Sequence, residues 1–219
     1  MRIFKPVFVI FLLSAVAGCG PNVVKVENLQ AFPKPVMTPL PARVAVYYPE
    51  SFRTYTYREE RDIAIGGEWI ITLGETQHQV FNVVLDAMFE ETVEFDSEPT
   101  TADGFNAIIV PSVADFQFAL PSDNRVNVFE IWVKYNISIR DATGEELGNW
   151  PVTAYGRTPT AMLKSSETAI HAAALIAMRD AGASMISGVY RDPRLREWLG
   201  VPQRSATRPA TTPAQGAGQ

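Results

Sequence analysis

The chain has 219 residues, with 24 acidic against 19 basic side chains and a single cysteine. Leaving out the first 18 residues, which hold two basic and no acidic side chains, the formal charge is −7. That balance and the lack of a basic stripe exclude nucleic-acid binding, and one cysteine excludes an internal disulfide.

Arg2 and Lys5 form a short positive start, and an almost wholly apolar run, Val7 to Val16, follows. Small residues close the segment at Ala15, Ala17 and Gly18. This is the layout of a secretory signal over 1–18. The run is well short of the roughly 20 residues that cross a bilayer as a helix. Residues 19–41 carry five prolines and no periodicity. They read as an extended tether.

A single domain is expected over 42–200, long enough to bury about two-thirds of its unfolded surface. Residues 42–48 are a short β-branched run, read as a buried first strand. The stretch Ser51 to Glu60 alternates Arg53, Tyr55 and Tyr57 with Phe52, Thr54 and Thr56, which predicts a strand with an aromatic face. Trp69, Ile71 and Leu73 share one side of another short strand. A helix is predicted from Gly74 to near Val93, with Thr72 and Glu75 as a capping box. Val80, Phe81, Val84, Leu85 and Met88 form its apolar stripe. A buried strand broken at Pro111 follows.

The clearest alternation is at 129–140. Ile131, Val133, Tyr135, Ile137 and Ile139 form one face, while Glu130, Trp132, Lys134, Asn136, Ser138 and Arg140 form the other. Residues 141–144, Asp-Ala-Thr-Gly, read as a hairpin turn, with a return strand from Leu147 to about Gly156. Ser165 or Ser166 is expected to cap a final long helix. Ile170, Ala173, Ala174, Ala177 and Ala181 line its small-residue face, and Gly188 marks its end. Asp192 and Pro193 start a short last helix. Residues 201–219 are rich in Pro, Ala, Thr and Gly and are expected to be disordered. The order implies an α+β fold, a mainly antiparallel sheet with two long helices packed on one face.

No catalytic constellation emerges, so a non-enzymatic protein needing no cofactor is expected. There is no HExxH, CxxC or Asp-rich loop for metal, and no G-x-S-x-G elbow for a serine nucleophile. His78 and His171 lack further ligands at metal spacing. Asp86 and Glu90 sit four apart on the first long helix, as on any solvated face. Trp132 is the exception among the aromatics. It lies on the polar side of its strand, where an exposed tryptophan with a charged rim is a candidate anchor for a partner. Arg53, Tyr55 and Tyr57 form a second candidate surface.

Val16-Ala17-Gly18-Cys19 resembles the bacterial lipobox. The resemblance implies lipidation of the Cys19 thiol, cleavage before it and acylation of the new amine. Gly20 in place of an aspartate implies the outer membrane, with the domain on the periplasmic face. Two or three acyl chains suffice for stable anchoring. Further on, Ala42–Tyr48, the helix from Gly74, the hairpin Val133–Trp150 and the helix Glu167–Ile186 resemble, in order, outer-membrane lipoproteins of the YajG kind and those with TolB amino-terminal-like or curli-secretion-lipoprotein-like domains. Those families imply an accessory factor of the cell envelope that binds another protein, sometimes as a ring of copies. The alternative from another class is a carrier for a lipid or other apolar ligand in a cleft between sheet and helices.

Overall fold

The computed structural model describes residues 20–27, 32–62, 67–160 and 165–199. The expected signal at 1–18, Cys19 and the expected disordered tail at 201–219 lie outside them.

Among the described residues the strands are β1 (Asn22–Lys25), β2 (Leu40–Val46), β3 (Thr56–Glu60), β4 (Glu68–Thr72), β5 (Phe89–Glu94), β6 (Ala107–Ala119), β7 (Val128–Arg140) and β8 (Glu146–Pro159). The helices are α1 (Glu50–Arg53), α2 (Gly74–Met88), α3 (Ser166–Arg191) and α4 (Pro193–Trp198). Five strands form one sheet in the order β5-β2-β6-β7-β8, and three form a smaller sheet in the order β1-β4-β3. The fold is α+β. Its long ladders, β6 with β7 and β7 with β8, are antiparallel, while β2 pairs in parallel with both β5 and β6.

The alternation at 129–140 places its apolar set inside. Ile131, Val133, Tyr135, Ile137 and Ile139 are buried, as are Trp150, Val152 and Ala154 on β8. The hairpin closes at Asp141–Gly144, with Gly144 at φ +90°, the region where glycine costs least. Helix α3 lies over β7 and β8. Its alanine face approaches so closely that a Cβ on Gly156 would stand 2.0 Å from the Ala173 carbonyl oxygen. The Ser165 hydroxyl accepts from the Thr168 N–H, and Asp192 accepts from the Arg194 N–H, capping α3 and α4.

Helix α2 packs beside α3 and carries a buried polar link. Gln77 is fully buried, donates to the Phe52 carbonyl (2.6 Å) and accepts from the Tyr135 hydroxyl (3.2 Å). Desolvation raises the pKa of that phenol, which keeps it protonated as a donor. The smaller sheet meets the larger through aromatic contacts, with Tyr57 4.6 Å from Phe116 and Trp69 5.3 Å from Phe118 between ring centroids.

Several expectations are corrected. The segment read as tether supplies β1, because Val24 and Val26 are buried and β1 pairs in parallel with β4. The stretch from Ser51 is not one strand. Pro49 starts the helical turn α1, which drives Phe52 into the core against Tyr48 and Phe81, and the strand begins only at Thr56.

Helix α2 ends at Met88 rather than near Val93. The next residues pair with β2, and the backbone turns with no glycine or proline to mark it. No capping box forms at Thr72 and Glu75. The N-cap is Leu73, and the Leu73 and Gly74 N–H groups donate to the Tyr55 carbonyl instead.

Strand β6 runs straight through Pro111. The Ile109 carbonyl accepts from Tyr47 on the β2 side, so the missing Pro111 N–H falls on that side too. The proline ends the ladder with β2 and spares the ladder with β7. Helix α3 likewise passes Gly188, which lets the helix lie against the Trp150 indole, and ends at Arg191.

Candidate binding face

The hairpin register decides what meets Trp132. Across β7 and β8, Trp132 stands opposite Tyr155, Glu130 opposite Arg157, and Lys134 opposite Thr153. On the other side, β6 places Gln117 beside Trp132 and Asp115 beside Lys134. These residues share the outer side of the sheet, away from the helices, because side chains alternate along a strand.

The Trp132 and Tyr155 rings lie 5.3 Å apart at an angle of 34°. Both are half-buried. The Tyr155 hydroxyl donates to Glu130 Oε1 at 2.5 Å. Desolvation and the Glu130 carboxylate raise the pKa of the Tyr155 phenol, so it remains a neutral donor. Asp115 accepts from Gln117 Nε2 (2.8 Å) and faces the Lys134 ammonium at 3.5 Å. Asn136 donates to Asn149 Oδ1 on the neighbouring strand (2.9 Å). An open depression of about 250 Å³ lies beside the indole, lined by Asp115, Gln117, Trp132, Lys134 and Thr153. An aromatic pair with fixed polar neighbours on a rigid sheet suits recognition of another surface.

Tyr155 and Asp115 are parts of this face that the reading of the sequence did not name. Counting from a turn at 141–144 brings Thr153 opposite Trp132, and the register shift beside Arg140 moves Tyr155 there instead.

The second candidate surface is dispersed. Arg53 is exposed at the end of α1, whereas Tyr55 and Tyr57 pack half-buried against the core through Phe116. The Tyr57 hydroxyl donates to Glu59 at 2.5 Å. Desolvation and that carboxylate push the phenol pKa well up. Neither tyrosine shares a face with Trp132, which projects from the opposite side of the large sheet.

His78 faces Glu94 at 3.1 Å, lies beside Asn82, and sets its ring edge-on to Tyr48. His171 Nε2 contacts the Glu27 carbonyl oxygen at 3.1 Å. Asp86 and Glu90 do not share a helix face, since Glu90 belongs to β5. Among the described residues no group of three or more His, Cys, Asp or Glu is placed to hold a metal ion. No helix among them is long and apolar enough to cross a membrane.

No protein-family model matches the chain, and no curated protein matches it. Solved structures with a similar arrangement include a Xanthomonas campestris protein of the DUF330 family, at 9% identity over 75% of this chain and 91% of that one, with a TM-score of 0.48. A minor lipoprotein from Acinetobacter baumannii is similar at 10% identity, over 68% of this chain and 91% of that one, with a TM-score of 0.40. An uncharacterized lipoprotein B from Nitrosomonas europaea is similar at 16% identity, over 72% of this chain and 90% of that one, with a TM-score of 0.38.

Proposed function

We propose that the chain is an outer-membrane lipoprotein, anchored through Cys19 with its domain on the periplasmic face. In this reading it is a non-enzymatic accessory or assembly component of a cell-envelope system, and it works by binding another protein. The anchor is supported by the order of charge, apolar run and Val16-Ala17-Gly18-Cys19. The outer-membrane destination is supported by Gly20 directly after the cysteine.

The observation that carries the binding reading is the Trp132–Tyr155 pair on the open side of a sheet whose other side holds the core. Trp132 is the proposed anchor, with Tyr155 and Glu130 fixing its surroundings. Arg53 is a further exposed contact, while Tyr55 and Tyr57 are half-buried against Phe116. The depression beside Trp132 is open rather than enclosed, which suits a protein partner better than an apolar cargo.

Two experiments test the parts separately. Cys19→Ser should leave an uncut, non-acylated precursor that is lost from the outer-membrane fraction, read by intact mass and density-gradient fractionation. Processing at the same bond with retained anchoring would refute the lipidation reading. Trp132→Ala should reduce crosslinked partner recovered from intact cells at least tenfold, while the melting temperature stays close to the parent. Unchanged recovery would move the binding face elsewhere.

A further inference from the structure

Charge is distributed very unevenly along this chain. Between Arg61 and Arg125 there is no lysine or arginine, yet six aspartates and six glutamates lie there, half of the 24 acidic residues. Strand β5 is in the middle of that stretch. Two arginines from other strands neutralise part of the excess. Arg43 forms a two-pronged pair with Glu91 (2.6 and 3.1 Å), and Arg140 reaches Glu98 at 2.5 Å. Asp86, Glu90 and Asp96 are exposed around the strand, and Glu94 meets His78 and Asn82.

The same strand is an edge. It pairs with β2 on one side, and among the described residues no strand pairs with the other. The Phe95 N–H donates to the Val46 carbonyl, so the odd-numbered residues of β5 point their polar backbone groups at β2. Those of Glu90, Thr92 and Glu94 point away from the sheet. The opposite edge of the sheet differs. There the outward N–H of Tyr155 is taken by Asp180 of α3 (2.9 Å), and the helix crosses Gly156 at contact distance. Edge strands are commonly blunted by a covering element, a proline, charged side chains or a bulge. Strand β8 is covered by α3, whereas β5 contains neither proline nor lysine and carries glutamates, which repel anionic segments and admit cationic ones.

We propose that the free edge of β5 takes up an extended segment of a partner protein rich in lysine or arginine, adding one strand to the five-stranded sheet. Main-chain bonds to Glu90, Thr92 and Glu94 supply the attachment, as in other strand-addition modes. The carboxylates select the sign of the partner's charge. Glu90 and Glu94 lie on one side of the strand, about 13 Å apart at 3.3 Å per residue. Cations at alternate positions, or four residues apart, match that spacing. The inference depends neither on Cys19 nor on the Trp132 face and fails independently of them.

The test uses the full chain in detergent and a fluorescent octapeptide of alternating lysine and valine. Anisotropy should report saturable binding, and amide exchange should slow at Glu90, Thr92 and Glu94. The same peptide N-methylated at alternate backbone nitrogens, or with glutamate for lysine, should bind at least tenfold more weakly. Glu90→Lys should weaken the parent peptide at least tenfold, and Trp132→Ala should not. Thr92→Pro removes an outward N–H, together with the hydroxyl that donates to the Leu85 carbonyl, and should abolish binding; its melting curve shows whether it folds, and Glu90→Lys carries the test if it does not. Absence of binding overturns the proposal, as does equal binding of the N-methylated peptide, which would mean charge attraction without strand addition. So does protection of these three amides in the peptide-free protein together with a sedimenting dimer, because a second copy would then occupy the edge.

Discussion

The outer side of the five-stranded sheet has two halves that meet at a bulge. In the ladder between β6 and β7, Val113 pairs with Tyr135 and Asp115 with Lys134, which leaves Ala114 unpaired. Before the bulge, β6 turns Ile108 and Val110 outward. The chain covers them with Ala102, Phe95 and Phe105, and Arg43 sits 5.2 Å above the Phe105 ring. After the bulge the outward positions are Asp115 and Gln117, flanked by Trp132 and Lys134, and this half lies open. One extra residue reverses which parity faces the core. Ile109 and Val113 then face inward on one side of it, and Phe116 and Phe118 on the other. An apolar outward surface demands a cover, and a polar one does not. Trp132 is half-buried on the half that needs no cover, which is why it stands apart from the aromatics of the core.

The largest expected effect lies in the covered half. Ile108 is fully buried, and Ile108→Ala should lower unfolding free energy by about 2–4 kcal/mol in urea denaturation. A loss as small as that of an exposed residue would mean that the 95–106 segment does not cover this half in solution.

In the open half, Trp132→Ala removes one tilted ring contact from a half-buried site. The expected loss is about 1 kcal/mol or less. A loss equal to that of Ile108→Ala would make the indole core and end the contrast between the halves.

A smaller effect is expected where β6 leaves the open half. Asp123 pairs with Arg61 at 2.5 Å, and Arg61 lies 4.4 Å over the Phe118 ring. Desolvation opposes ionisation of Asp123. The Arg61 guanidinium and the Leu120 N–H outweigh it and hold the carboxyl below its ordinary range. A carboxylate with a depressed folded pKa stabilises fully above its unfolded value, and the contribution fades as pH falls through the folded one. The stability gap between parent and Asp123→Asn should therefore be constant near neutrality and shrink below about pH 4. A gap that does not change with pH would show that the pair's charge contributes nothing.

The parts of the fold that were legible share a local cause. The alternation at 129–140, the turn at 141–144 and the small-residue face of α3 all follow from period, turn chemistry or side-chain size within one segment. They sufficed to place Trp132 on the outer side. The misread parts depend on distant partners. Residues 89–94 continue a helical segment in composition and became β5 only because β2 stood beside them. Residues 22–25 follow an apolar start and precede prolines, and became β1 only by pairing with β4. Tyr55 and Tyr57 alternate like a surface strand, but the smaller sheet presses them onto Phe116.

By itself, then, the sequence determined the apolar start before Cys19, the α+β class, the inward face of β7 and the place of the hairpin turn, because each rests on neighbours along the chain. Tertiary structure decided the bulge at Ala114, the cover over Ile108, the Tyr155 partner of Trp132 in its final geometry and the uncovered edge of β5. Those features arise from parallel pairing and packing between residues far apart in sequence, and such contacts leave no period or turn for a local reading to find.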